Sequence, residues 1–291
     1  MSYAHASPVN SFKFSLRLDS PKNIENISLN NSYGENKTLM RSRILIINDS
    51  RGKGAHDILN SDETVDFDIV VRPGATLRAA SAIIAQKQSE KVYALTIVNV
   101  GICNLTKRKK VRGIFQITYT TTEAEREVKI ADIKHTINLI RARSITPVIF
   151  CTIIPACLEK CNQATSKKDH AEQQKALTED TNEINAYIKE NNTSANVQTI
   201  DICRFVKTHS LKRKRTGDTT NQTRKHQFSY KHLEDGVHYD DTLKRKSFIY
   251  IGKVAIATAT NNENDPHNTS QDSIDTIPDW DFKRHRTSLQ D

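Results

Sequence analysis

Four consecutive apolar residues run directly into a polar turn in the segment Ile44-Leu45-Ile46-Ile47-Asn48-Asp49-Ser50. A short apolar run that ends at turn residues is typical of a strand buried on both faces. The turn Ser50-Arg51-Gly52 then predicts the start of a short helix over residues 52–59. Together these features place Ser50 where a strand ends and a helix begins, in a fold of the α/β class.

The alternation of strand and helix continues along the chain. Predicted strands cover residues 43–47, 67–71, 92–100, 147–154 and 197–202, and predicted helices cover residues 76–86, 123–143, 167–191 and 241–258. In the helix over 123–143, the residues predicted to face the core are Val128, Ile130, Ile133, Ile137 and Ile140. Apolar strands separated by helices indicate a parallel sheet covered on both faces. The prediction is a three-layer α/β/α sandwich around a mostly parallel, five-stranded sheet.

The 291 residues are enough for one domain with a sizeable core, which we place at residues 41–259. Residues 1–40 and 260–291 are rich in Asn, Ser, Thr and Asp and are predicted to be disordered tails. Two basic insertions are expected within the domain, near residues 104–122 and 204–232. The second insertion is interpreted as a lid, a disordered insertion or a nuclear import signal.

The composition also limits the cellular setting. No apolar run approaches the roughly 18 residues that span a bilayer, and the N-terminus lacks the pattern of a signal peptide. The chain has an odd number of cysteines, five, which favours reduced thiols over a disulfide framework. Cys157 and Cys161 form the one close pair, without partners at zinc-finger spacing. We therefore expect a cytoplasmic or nuclear protein with no membrane span and no metal.

The net charge of +9 is concentrated in two clusters, Lys107-Arg108-Lys109-Lys110 and Lys212-Arg213-Lys214-Arg215. Such clusters contact polyanions such as nucleic acids, direct nuclear import, or simply lie in solvated loops. Few aromatic residues lie among them, so stacking on bases is not indicated. The pattern leaves all three interpretations open, and it leaves the oligomeric state open too.

Ligands of parallel sheets bind outside the carboxyl ends of the strands, which draws attention to the loop containing Ser50. A second segment with chemical potential is Asp235-Gly236-Val237-His238. An Asp three residues before a His can orient and charge-stabilise the imidazole, which can then activate a serine. If this loop reaches the same edge of the sheet, the sequence predicts a serine hydrolase.

Four segments resemble the conserved blocks of the SGNH (GDSL-type) hydrolases, in the order in which that family has them. Asn48-Asp49-Ser50 resembles the Gly-Asp-Ser block, and Pro73-Gly74-Ala75-Thr76 is similar to the glycine block. Gly101-Ile102-Cys103-Asn104 resembles the Gly-x-Asn-Asp block, and Asp235-Gly236-Val237-His238 matches the Asp-x-x-His block. The resemblance covers about residues 42–257 and implies the flavodoxin-like SGNH hydrolase fold. It also implies hydrolysis of a small-molecule ester through an acyl-enzyme, without a cofactor.

The resemblance implies a role for each matched residue. Ser50 would be the nucleophile, His238 the general base and acid, and Asp235 the residue that orients the imidazole. The backbone N–H groups of Ser50 and Gly74 would stabilise the oxyanion. Arg51, with the cluster Lys107-Arg108-Lys109-Lys110, is predicted to contact anionic substrates or polyanions if both lie on the rim, the alternative being an exposed loop without substrate contact.

The third block departs from the family pattern, because Cys103 occupies the position of the usual oxyanion Asn. A thiol is a weak donor, so losing the amide would cost about 2.7–4 kcal/mol of transition-state stabilisation. Asn104, the next residue, would replace that amide if the loop were shifted by one position. The first block also differs, since Asn48 stands in place of its initial Gly.

Two other functions remain open. One is a catalytically impaired SGNH-like domain that binds RNA through its basic clusters, since the family includes an RNA-binding branch and similar domains occur in proteins of mobile elements. The other is a protein-interaction module with a vestigial pocket and polar tails that recruit partners. The intact set of Ser50, Asp235 and His238 favours the esterase.

Overall fold

The computed structural model describes residues 41–59, 61, 64–111, 114–162, 167–209 and 226–264. Its strands are β1 (Ser42–Asn48), β2 (Val65–Val71), β3 (Leu95–Asn99), β4 (Lys107–Val111), β5 (Ile114–Thr118), β6 (Val148–Phe150), β7 (Lys207–His209) and β8 (His226–Phe228). Its helices are α1 (Leu77–Glu90), α2 (Ile102–Leu105), α3 (Glu123–Arg143), α4 (Leu158–Cys161), α5 (Lys167–Ser194) and α6 (Asp241–Asn264).

The central sheet has the strand order β2-β1-β3-β6, and every pair in it is parallel. Side chains alternate across the buried strand β1 because successive residues of a strand point to opposite faces. Leu45 and Ile47 join a core with α1, α3 and α5, whereas Ile44 and Ile46 join a core with α6. Helices therefore cover both faces, which confirms the predicted three-layer α/β fold.

The sheet has four strands within the described residues, one fewer than predicted. The segment predicted as the fifth strand, residues 197–202, is reduced to a single parallel bridge between Ile200 and Cys151. Directly after it, Asp201 accepts a hydrogen bond from Thr152 Oγ1, and the chain turns into a 3-10 helix over Ile202–Phe205. Pairing of this segment with the sheet is therefore limited to one residue.

Two local predictions were wrong. Residues 52–59 do not form one helix but contribute to two 3-10 turns, Ser50–Gly52 and Ala55–Asp57, separated by Gly54 in the left-handed region with φ of 83°. A helix of that length would have placed the Ser50 N–H near its positive end, and these three-residue turns are too short to supply such a dipole. Val128 is 70% exposed, because it lies off the helical stripe that runs through Ile130, Ile133 and Ile137.

The first basic insertion contains an antiparallel hairpin, β4–β5, and the second is bounded by the antiparallel pair β7–β8. The cluster Lys212-Arg213-Lys214-Arg215 and residues 1–40 lie outside the described residues. Helix α6 continues to Asn264, past the predicted boundary at residue 260, and the rest of that predicted tail also lies outside the described residues. In the part of the chain that the structure describes, no helix is both long and apolar enough to cross a membrane.

Candidate active site

The carboxyl end of β1 is built from buried polar side chains. Asn48 lies opposite Asn99 in the parallel register of β1 and β3, and Asn99 Nδ2 donates to Asn48 Oδ1 at 2.9 Å. A Cβ at Gly52 would overlap the Asn48 side chain. The absence of a side chain at Gly52 thus leaves the room that Asn48 occupies. Asn99 is not among the predicted site residues, although its position at the end of a neighbouring strand could have indicated it.

Asp49 and Ser50 follow this strand end. Asp49 is buried, and its Oδ1 accepts the backbone N–H of Arg51 at 2.9 Å, which caps the 3-10 turn that Ser50 begins. Burial raises the pKa of Asp49, although the nearby positive charge of Arg51 opposes the shift. Ser50 itself is half-buried, so its hydroxyl is presented at the rim of the sheet.

The loop before α6 brings its Asp and His together. Asp235 Oδ1 accepts the backbone N–H groups of Val237 and His238, at 2.9 and 2.8 Å, and Asp235 Oδ2 lies 2.6 Å from His238 Nδ1. Burial pushes the pKa of Asp235 upward, but the hydrogen bonds from His238 and Val237 outweigh it and hold the pKa at about 2. Asp235 is therefore ionised at neutral pH and acts as an acceptor.

The two segments meet at Ser50. His238 Nε2 lies 3.0 Å from Ser50 Oγ, across 188 residues of sequence. Because the Asp235 carboxylate accepts from Nδ1–H, the neutral imidazole has its free lone pair on Nε2, facing the hydroxyl. The side chains of His238 and Asp235 are 45% and 58% exposed, so the group is open to solvent. The structure thus assembles a continuous Ser–His–Asp hydrogen-bond chain with the polarity that a serine nucleophile requires.

Arg51 is only 5% exposed, so its side chain does not lie open on the rim, which is the condition on which its predicted contact with a substrate depends. Its guanidinium donates to the backbone carbonyl oxygens of Ile154, which is buried, and of Val237, which is partly buried.

The remaining residues of the predicted oxyanion site lie in the turn before α1, which contains Gly74, and in the short helix α2, which contains Cys103 and Asn104. Gly74 is exposed in a turn with φ of 74°, and a Cβ there would have no neighbour within 4 Å. Asn104 contacts the start of α1, because its Oδ1 accepts the N–H of Leu77 at 2.9 Å. Cys103 is partly buried, and burial together with the Asp49 charge raises the pKa of its thiol. The oxyanion roles of Ser50 N–H, Gly74 N–H and Asn104 remain predictions.

The four cations Lys107, Arg108, Lys109 and Lys110 are exposed along β4, the first strand of the hairpin that follows α2. Alternation along a strand directs them to both faces of the hairpin. Among the described residues, no three His, Cys, Asp or Glu side chains are grouped so that they could hold a metal ion.

Comparison with known proteins concerns the fold alone. No protein-family model and no curated protein sequence matches the chain. Solved structures with a similar arrangement include a GDSL-like lipase from Bacteroides thetaiotaomicron, at 13% identity over 76% of this chain and 89% of that chain, with a TM-score of 0.45. The chain is similar in fold to GDSL-type hydrolases.

Two further structures show the same range of similarity. An acetyl xylan esterase is 13% identical over 72% of this chain and 98% of that chain, with a TM-score of 0.42. A member of the lipolytic G-D-S-L family from Veillonella parvula is 13% identical over 74% of this chain and 97% of that chain, with a TM-score of 0.40. These names describe the activities of those proteins.

We expect Gly236→Ala to disrupt the His238 loop far more than Gly74→Ala does. Both glycines have positive φ, 86° and 74°, so each substitution strains the backbone by about 1–2 kcal/mol. At Gly236 the new Cβ would also lie 2.5 Å from the Cys157 carbonyl oxygen and 2.9 Å from the Cys161 nitrogen. Urea unfolding of both variants measures the difference, and equal losses would contradict the close approach.

We also expect Asp49 and Asp235 to affect stability with opposite dependence on pH. The raised pKa of Asp49 favours its protonated form in the folded state, so the stabilisation is present at low pH and lost as pH rises through the folded pKa. The native protein should therefore lose stability relative to Asp49→Asn as pH rises toward neutrality. Asn preserves the cap, so the variant isolates the charge.

For Asp235 the sign is reversed, because its folded pKa of about 2 lies below the ordinary value. Its stabilisation is present above pH of about 4 and lost as pH falls toward about 2. Relative to Asp235→Asn, the native protein should thus gain stability as pH rises through this window. Free energies of unfolding of the native protein and both variants across pH test the pair, and slopes of the same sign would refute the assignment.

Proposed function

We propose that this chain is a serine esterase that hydrolyses small-molecule esters through an acyl-enzyme on Ser50. The observation that supports this most directly is the hydrogen-bond chain from Ser50 Oγ to His238 Nε2 at 3.0 Å, and from His238 Nδ1 to Asp235 at 2.6 Å. A lone serine after a strand is commonly only a helix cap. Here, however, the hydroxyl faces an imidazole whose tautomer is set by an ionised carboxylate.

In the proposed reaction, Ser50 Oγ attacks the ester carbonyl carbon while His238 Nε2 accepts the hydroxyl proton. The tetrahedral intermediate collapses, the C–O bond to the alcohol breaks, and His238 returns the proton to the leaving alkoxide. A water molecule then attacks the acyl carbon with His238 again as base, the C–O bond to Ser50 Oγ breaks as His238 gives the proton to that oxygen, and the acid product leaves. Asp235 stabilises the imidazolium in both halves, and backbone N–H groups near Ser50 and Gly74 would stabilise the oxyanion.

We expect a fluorophosphonate probe to label the folded native chain covalently at Ser50. Ser50→Ala should abolish labelling, and Asp235→Asn should slow it by about 10³–10⁴, because the imidazole loses its orienting carboxylate. Ser89→Ala, an exposed serine on α1, is the matched control and should label like the native chain. An unlabelled native chain, or equal labelling of Ser50→Ala, would refute the proposal.

A second candidate function, binding of RNA or another polyanion, is supported by one observation. Lys107, Arg108, Lys109 and Lys110 are consecutive, exposed and presented on a short hairpin, so their charges act over a small area. This function is compatible with the esterase, because the four cations on the hairpin are different residues from Ser50 and His238, which the proposed reaction uses.

If these four cations contact phosphates of a single strand, neutralising all four to Gln should reduce the magnitude of the negative slope of log affinity against log salt by about 3. A matched control neutralises four exposed cations dispersed on helices, Arg143, Lys175, Lys246 and Lys253. Filter binding of a single-stranded RNA over a salt series measures both slopes. Equal effects of the two sets would show a general charge effect and count against the hairpin.

A further inference from the structure

Arg51 contacts both sequence neighbours of His238. Its Nε donates to the carbonyl oxygen of Val237 at 2.9 Å, and its guanidinium carbon lies 5.2 Å from the centre of the Tyr239 ring. Its Nη1 donates to the carbonyl oxygen of Ile154 at 2.7 Å. One side chain therefore joins the end of β1, the segment after β6 and the loop that contains His238.

The peptide on either side of Val237 is restrained from two directions. The Val237 N–H donates to Asp235 Oδ1, and the Val237 carbonyl accepts from Arg51. Since Val237 directly precedes His238, these two bonds limit how far the imidazole can move relative to Ser50. Arg51 is adjacent to Ser50 in sequence, so nucleophile and restraint belong to the same turn.

Arg51 is a costly residue at this place. It is 5% exposed, and among the described residues its Nη2 has no hydrogen-bond partner. A buried cation with an unsatisfied donor carries a desolvation cost. An apolar side chain would fill the same space without this penalty, but it would not bind two carbonyl oxygens at fixed angles. The planar fork of a guanidinium does so, and an ammonium does not.

We infer that Arg51 is a positioning residue that holds the Asp235–His238 loop at hydrogen-bond distance from Ser50. The inference rests on the proposed esterase function and adds Arg51 to Ser50, His238 and Asp235 as a fourth residue on which the geometry of the site depends. A shift of about 1 Å between reacting groups lowers a rate by about 10²-fold. Loss of Arg51 therefore lowers the maximal rate at which a fluorophosphonate probe labels Ser50. The probe concentration that gives half of this maximal rate stays the same.

Arg141 offers a matched control because it is built in the same way in another part of the fold. It lies on α3, with its guanidinium carbon 5.5 Å from the centre of the Phe150 ring. It donates to the Asn191 carbonyl and, at 2.6 Å, to Asn192 Oδ1, and its buried Nε is also without a partner among the described residues. Arg141→Met thus removes an equivalent guanidinium without removing a bond to the His238 loop.

The test compares Arg51→Met, Arg51→Lys and Arg141→Met as folded full-length chains. Fluorophosphonate labelling gives the maximal rate and the half-saturating concentration, and hydrogen–deuterium exchange reports the amides of Val237 and His238. We expect both Arg51 variants to lose about 10²-fold in maximal rate and to exchange these amides faster. Arg141→Met should match the native chain in both measurements.

Native labelling and exchange in either Arg51 variant would overturn the inference, as would an equal loss in Arg141→Met. If Arg51→Met fails to fold, Arg51→Lys, which retains the charge and most of the volume, decides the question. If Arg51→Lys fails as well, the residue stabilises the fold as a whole and the positioning role is overturned. If the native chain is not labelled at Ser50, the esterase proposal fails, and the exchange of the loop amides alone decides the role of Arg51.

Discussion

The parallel register of β1 with its two neighbours is the constraint on which the rest of the structure depends. Asn48, its last residue, lies opposite Val71 of β2 and Asn99 of β3, so three strands end at one edge of the sheet. Each chain segment that leaves these strands therefore starts from the same rim. Ser50 lies at this rim because β1 ends at Asn48. His238 contacts Ser50 because the loop before α6 reaches the same rim.

Polar groups are layered at this rim. Ser50, Asp235 and His238 are at least partly open to solvent, whereas Asp49 and Arg51 below them are buried. Exposure leaves the upper layer accessible from solvent, and burial makes the hydrogen bonds of the lower layer costly to break. The two aspartates show the difference, since burial raises the pKa of Asp49 while local hydrogen bonds lower that of Asp235.

Local patterns predicted much of this protein. The apolar run of β1 predicted a buried strand, and the stripe through Ile130, Ile133 and Ile137 predicted α3 with the bounds that the structure has. Where local patterns failed, a contact from elsewhere in the fold decided the outcome. The predicted fifth strand is a single bridge between Ile200 and Cys151, next to which Thr152 donates to Asp201, and no feature of residues 197–202 indicates that partner.

The sequence by itself determined the fold class and pointed to the residues of the candidate site, because strand burial, helix periodicity and the spacing of Asp235 from His238 are local properties of the chain. Only the tertiary structure decided that His238 Nε2 lies 3.0 Å from Ser50 Oγ, and that Arg51 points inward to Val237 rather than outward to a ligand. Those contacts join residues about two hundred positions apart. They depend on how strands and loops pack, and a linear pattern does not contain that distance.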